Sequence, residues 1–259
     1  MTSMKPIVAK ADSGIPEPHE HIPIANLRIT MSGTLYLVAT PIGNYDDITF
    51  RALNILKAAD VVVYEERKEG QRLLSHYGIP EKLIESLNEH NEAAATFHII
   101  EHLKAGKNVA LISDAGTPVF SDPGQLLVRK AVENNVSIVP VPGASSLLPA
   151  LTVCGFPIDQ FLFYGFPSPK SNRRISELRQ LRNERRTIIF MDAPYRLVAL
   201  LKDLAEVFAD ARRVCIAFNL TMPDEQIFRG TALELYRHFE KKNMKGEFVV
   251  VVEGGKREK

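Results

Sequence analysis

From Gly33 onward the chain alternates short β-branched runs with segments of helical period, and this constrains its fold more than any other feature. Such alternation predicts a parallel sheet covered by helices, an α/β architecture. Strands are expected at 35–39, 61–64, 109–113, 137–141, 161–164, 187–191, 214–218 and 248–252. The first helix is expected to open at Asp46 or Asp47, whose carboxylates can accept the free N–H groups of a first turn, and to present Ile48, Ala52, Leu53, Ile55 and Leu56 to a core. A second runs over 93–104 and stops at Gly106. Others are expected at 126–133, 147–153, 175–181, 197–208 and 233–239. Gly155-Phe156-Pro157 interrupts the pattern, so two α/β domains are expected, 33–154 and 155–259. Residues 1 to about 32 hold Pro6, Pro16, Pro18 and Pro23 and no sustained period, and read as a flexible extension.

The charge balance narrows the function classes. Lys and Arg number 32 against 31 Asp and Glu, a net charge of +1, so the molecule has no overall basic field and any basic site must be local. Cys154 and Cys215 lie in apolar contexts with no CxxC, which reads as core thiols rather than a zinc site or a secreted disulfide scaffold. No apolar run approaches the roughly 20 residues that span a bilayer, and the N-terminus lacks the order of a signal peptide. A cytoplasmic protein is expected.

Three loops after predicted strands are rich in turn-forming residues: Thr40-Pro41-Ile42-Gly43-Asn44, the stretch from Ser113 to Gly124, and Pro140-Val141-Pro142-Gly143-Ala144-Ser145-Ser146. Ligands of open α/β sheets bind beyond the carboxyl ends of the strands. Small residues there let backbone approach a ligand, Asp114 offers a carboxylate, and Ser145 and Ser146 offer hydroxyls and amides at a helix start. Together they describe a pocket for a polar cofactor; taken singly, each is also what a tight capped βα turn looks like. No Walker A and no G-x-G-x-x-G after a strand is present, which argues against a P-loop nucleotide or a standard Rossmann dinucleotide.

These loops carry a resemblance. With Val38-Ala39-Thr40-Pro41-Ile42-Gly43-Asn44 go Asp47-Ile48-Thr49, Arg51-Ala52-Leu53, Leu73-Leu74-Ser75-His76-Tyr77-Gly78, Glu89-His90-Asn91-Glu92, Pro142-Gly143 and Lys245-Gly246-Glu247-Phe248. In that order, from Gly33 to about Gly254, the chain resembles the ribosomal RNA small-subunit methyltransferase I family of the tetrapyrrole-methylase fold superfamily. The resemblance implies two α/β domains with a mostly parallel first sheet, and a cleft between them holding S-adenosylmethionine without a metal. It further implies a homodimer and methylation of a ribose 2′-hydroxyl in small-subunit ribosomal RNA. Carried over by position, Pro41 falls in the first cofactor loop, Asp114, Gly116 and Thr117 in the second, Ser145 and Ser146 in the third, and Met191 and Ala217 in the second domain. The chain departs from the family's usual Glu-Asp-Thr-Arg at Glu65-Glu66-Arg67-Lys68, and from Arg-Glu-Leu-Thr-Lys at Phe218-Asn219-Leu220-Thr221-Met222. Asp192 and Tyr195 stand where Glu and His are common.

The stretch 170–186 carries Lys170, Arg173, Arg174, Arg179, Arg182, Arg185 and Arg186 against Glu177 and Glu184. On a helix, Ile175, Leu178 and Leu181 would form an apolar stripe and leave the guanidinium groups for phosphate contacts, or for a merely solvated face. Lys170, Arg173 and Arg174, joined by Lys68 and Arg72, are the expected RNA contacts. Among Glu65, Glu66, Asp122 and His90 as candidates for a base, Glu65 and Glu66 are the expected catalytic pair. Two other readings stand beside this one: a methyltransferase of a tetrapyrrole or other small molecule, and a non-catalytic cofactor-binding or ribosome-assembly protein.

Overall fold

The computed structural model describes residues 32–80, 82–208, 212–242 and 244–255; the expected N-terminal extension, except its last residue, lies outside them. The first sheet is built from β1 (Thr34–Val38), β2 (Val61–Tyr64), β3 (Leu83–Ser86), β4 (Val109–Ile112) and β5 (Ser137–Val141), in the order β3-β2-β4-β1-β5 with every pairing parallel. Its central strands β2 and β4, VVVY and VALI, are buried at every residue because both faces of a parallel sheet are covered. Alternate side chains serve opposite faces. Val61, Val63, Val109 and Leu111 pack under α3 (Glu92–Lys104) and α4 (Gln125–Glu133), while Val62, Tyr64, Ala110 and Ile112 pack under α1 (Phe50–Ala58) and α2 (Arg67–His76).

The second sheet holds β6 (Phe161–Gly165), β7 (Thr187–Met191), β8 (Arg213–Phe218), β9 (Gln226–Thr231) and β10 (Phe248–Val252), ordered β6-β7-β10-β8-β9. Only the β6–β7 pairing is parallel among these described strands. Ile188, Phe190, Val214, Ile216, Val250 and Val252 face α6 (Ser171–Gln180), α7 (Leu197–Phe208) and α8 (Ala232–Lys242). The other face, with Ile189, Cys215, Ala217, Val249 and Val251, is covered by α5 (Leu147–Cys154), which follows the first sheet in sequence but packs on the second. Both cysteines are free and buried in that layer, as core thiols should be, and burial pushes the Cys215 thiol up to about 11. Each large aliphatic group so buried contributes about 1.5–3 kcal/mol.

All eight expected strands form, within a residue of their expected limits. The start of the first helix differs. Asn44 caps a single 3-10 turn at Tyr45–Asp47, and Thr49 is the cap of α1, its Oγ1 accepting the Ala52 N–H at 3.1 Å. Helix α2 escaped the sequence reading because its polar RKEGQRLLSH carries a glycine inside. That glycine, Gly70, is dictated by packing: a Cβ there would lie 2.3 Å from Cδ1 of Tyr64. The edge strands β3 and β9 also went unread, since their half-exposed residues lack a continuous apolar run.

After β1 the chain crosses β4 to reach β2, and after β4 it crosses β1 to reach β5. The connections from these two neighbouring strands therefore leave in opposite directions, opening a crevice at their carboxyl ends.

Candidate functional site

The crevice is held by backbone. Thr40 and Gly116 exchange two hydrogen bonds, Thr40 N–H to Gly116 O at 2.9 Å and Gly116 N–H to Thr40 O at 3.0 Å, and the buried Thr40 hydroxyl donates to Ser113 O at 3.0 Å. Gly116 has φ +87, a left-handed backbone that a side chain would strain. Ser113 Oγ donates to Asp122 Oδ2 at 2.7 Å and so anchors the far end of the same loop. The third loop starts α5, with Ser145 Oγ accepting the Leu147 N–H at 3.3 Å.

Beyond these loops lies a cavity of about 670 Å³. Pro41, Tyr45, Arg72, Asp114 and Ser146 line it from the first sheet's side, and Met191, Ala217, Leu220 and Val249 give it an apolar wall from the second. Its charge is one-sided. Glu69, Asp114, Asp224 and Glu247 border it, whereas Arg72 is the one cation among the described lining residues. Arg72 is already engaged, with Nη2 3.2 Å from Glu69 Oε2 and Nε donating to Tyr45 Oη at 3.1 Å. Burial raises the Asp114 carboxyl; the Glu66 N–H it accepts works against that, and the nearby carboxylates of Glu66, Glu69 and Asp122 add to it. Burial alone raises Glu247. A fifth carboxylate, Asp192, belongs to a wall residue but is itself buried, with Arg196 at 3.0 Å.

Five of the expected cofactor residues, Pro41, Asp114, Ser146, Met191 and Ala217, thus border one cavity. Gly116, Thr117 and Ser145 do not line it: Gly116 bridges the first two loops, Thr117 Oγ1 donates to Ala144 O at 3.3 Å and Ser145 Oγ accepts the Leu147 N–H just before α5. Glu65 and Glu66 also lie outside the lining. Glu66 is the N-cap of α2, accepting Lys68 N–H at 3.4 Å, which is a structural use of its carboxylate. Glu65 directly follows β2, its carboxyl raised first by burial and then by Asp114, Asp122, Glu89 and Glu66.

Of the expected RNA contacts, Lys68, Lys170 and Arg173 are exposed and Arg72 lies on the cavity rim. Arg174 must be corrected. It is 3% exposed, donates from Nε to Asp203 Oδ2 at 2.7 Å and from Nη1 to Ser168 O at 2.9 Å, and stands 2.6 Å from Asp203 through Nη2. A guanidinium whose donors face a buried carboxylate has none to offer a phosphate. The helix is also shorter than the basic stretch, ending at Gln180, so Arg182, Arg185 and Arg186 lie beyond it. Sequence reading missed Tyr45, Asp224 and Phe166 as cavity residues; Glu247 stood within a motif already noted, but without a role.

The S-adenosylmethionine implied by the resemblance fits this cavity. The volume is within the range of small-ligand sites, the apolar wall suits an aromatic base, and the carboxylates suit a sulfonium and an ammonium. The loops also close tightly: a Cβ on Gly143 would stand 2.9 Å from that of Ala39, and one on Gly43 2.7 Å from Cγ of Met222.

The family model described as Tetrapyrrole (Corrin/Porphyrin) Methylases matches residues 34–236, so the chain is a tetrapyrrole-methylase-type protein. Solved structures agree at the level of fold. Cobalt precorrin-4 methyltransferase, a cobalamin biosynthetic enzyme, has a TM-score of 0.63 at 18% identity, over 89% of this chain and 98% of its own. Uroporphyrin-III C-methyl transferase from Thermus thermophilus, complexed with S-adenyl homocysteine, has a TM-score of 0.60 at 19% identity, over 85% and 97%. Sequence relatives are more specific. The ribosomal RNA small subunit methyltransferase I of Thermotoga maritima is 43% identical, over 86% of this chain and 99% of that protein. The protein of the same name from Synechocystis is 43% identical over 86% and 79%. The chain belongs to the ribosomal RNA small subunit methyltransferase I family, and it is a methyltransferase.

Proposed function

We propose that this protein methylates a ribose 2′-hydroxyl of small-subunit ribosomal RNA. S-adenosylmethionine is the methyl donor and supplies an electrophilic methyl group when bound. The observation that carries the RNA reading is the separation of charge: acidic groups border the cavity, and exposed cations such as Lys68, Lys170 and Arg173 lie outside its lining. An acidic cavity suits a cationic donor and a neutral nucleoside. It disfavours the phosphate backbone, which is left to the cations outside. It equally disfavours a tetrapyrrole bearing several carboxylates, the main rival reading.

In this reading Pro41 and Ser146 hold the donor through the first-sheet loops, Asp114 attracts its positive charge, and Met191 and Ala217 form the opposite wall. Closing two walls on the nucleoside aligns the hydroxyl oxygen and excludes water. Of the two expected bases Glu66 serves as a cap, which leaves Glu65 as the candidate. Residues 33–154 act as the cofactor domain and 155–259 as the second domain, in a cytoplasmic homodimer. The test is transfer of labelled methyl from S-adenosylmethionine to small ribosomal subunits, naked ribosomal RNA and a tetrapyrrole mixture, with Asp114→Ala as control. Label at one alkali-resistant ribose linkage is expected; label only in tetrapyrrole would overturn the proposal. Sedimentation velocity tests the dimer.

A further inference from the structure

One aromatic residue of the cavity lining and another adjoining that lining in sequence are left largely in water. Phe166 lines the cavity and is 53% exposed, and Tyr195, next to the lining residue Pro194, is 77% exposed. They come from separate segments: Phe166 directly follows β6, and Tyr195 sits in the 3-10 turn Pro194–Arg196 after β7. β6 and β7 are parallel neighbours with Gly165 opposite Phe190, so the two segments leave the sheet side by side. Arg196 clamps them together. Its Nη2 donates to Pro167 O at 2.8 Å, and its Nη1 lies 3.0 Å from Asp192 Oδ1, which also accepts the Ala193 N–H at 2.8 Å. Because the Asp192 carboxylate is buried, water does not compete for this clamp.

A single exposed ring needs no explanation. Two exposed rings on segments clamped together beside a cavity are candidates for one surface, and their surroundings narrow the ligand. The acidic groups bordering the cavity repel a phosphate, so the part of a nucleic acid that enters must be neutral. An aromatic face accepts any base by stacking. Directly after Phe166-Pro167-Ser168-Pro169 the chain reaches Lys170 and α6, where Lys170 is exposed and Arg173, exposed too, donates from Nε to Glu177 Oε1 at 3.3 Å and keeps its Nη groups for the flanking phosphates. We propose that Phe166 and Tyr195 are a stacking surface for an unpaired nucleobase of the RNA substrate, with the neighbouring phosphates met by Lys170 and Arg173. This rests on the RNA reading above and adds a base-contacting surface to its phosphate contacts.

The experiment uses the full chain and a short single-stranded RNA carrying 2-aminopurine, whose fluorescence is quenched by stacking, with an RNA duplex as control. Tyr195→Leu and Phe166→Leu keep apolar bulk and remove the aromatic face, while Tyr195→Phe restores it. Wild type is expected to quench the probe. Each Leu variant should weaken single-strand binding by about 5- to 100-fold and lose the quench. Tyr195→Phe should behave as wild type, and Tyr195→Leu should keep the wild-type affinity for S-adenosylhomocysteine, which also shows that it is folded. Equal binding and quench in wild type and Tyr195→Leu would overturn the proposal, as would failure of wild type to bind the single strand. A matching loss of S-adenosylhomocysteine affinity would assign the rings to the cofactor pocket instead. Since binding is read without turnover, a chain that stacks RNA but transfers no methyl to it would fault the 2′-O reading and leave the stacking surface standing.

Discussion

Asp114 Oδ1 accepts the backbone N–H of Glu66 at 3.2 Å, joining the loop after β4 to the first turn of α2 across 48 residues of sequence. One carboxylate thereby borders the cavity and also fixes the helix that carries Glu69, Arg72 and Leu73 into its wall. Asp114→Asn keeps the size and removes the charge. The affinity for S-adenosylmethionine should fall about 10- to 100-fold, the worth of one charged hydrogen bond. Calorimetric titration checks this, and an unchanged affinity would remove Asp114 from the cofactor site.

Arg173 and Arg174 are neighbours with opposite expected behaviour. Arg174→Ala leaves the buried Asp203 without a counter-charge, with only the Ser171 hydroxyl still donating to it, so stability should fall by about 3–5 kcal/mol in denaturant unfolding. Arg173, with a side chain 78% exposed, should lose little or no stability as Ala and should instead weaken RNA binding in a salt-dependent way.

Gly70→Ala should destabilise the first half by about 1–3 kcal/mol, since the added methyl would overlap the buried Tyr64 ring. The combined Gly70→Ala and Tyr64→Leu variant should recover part of that loss. Thermal unfolding of the three proteins decides, and equal midpoints for wild type and Gly70→Ala would refute the packing argument.

Acid stability should depend on Glu184. Hydrogen bonds from the Arg186 guanidinium, and then from its backbone, hold the Glu184 carboxyl down at about 2 from an ordinary 4.5. A depressed carboxyl binds fewer protons in the folded state, so its contribution is complete above about pH 4.5 and is lost as pH falls towards 2. Glu184→Gln should therefore show a shallower loss of stability across that window, measured by urea unfolding at a series of pH values. Identical slopes would show that the pair contributes nothing.

What the sequence by itself determined was whatever depends on near neighbours. The eight expected strands are local runs of β-branched residues, and the three loops after β1, β4 and β5 announce themselves through Gly, Pro, Asp and Ser, whose backbone preferences act over a few residues. From these came the parallel first sheet, the end of it that carries the site, and Asp114. Tertiary structure alone decided the rest. Helix α2 is too polar to be read from its period, and it forms because Leu73 and Leu74 find the first sheet and Gly70 fits under Tyr64. Arg174 stands one helical turn before the buried Leu178, whereas Arg173 shares a face with Glu177; what makes burial of a guanidinium tolerable there is a carboxylate 29 residues away on α7. The acidic border of the cavity joins Glu69, Asp114, Asp224 and Glu247 from four separate segments, and Arg196 ties the segment of Tyr195 to that of Phe166. Pairing, burial and electrostatic field are properties of distance in space, and only the closed fold sets those distances.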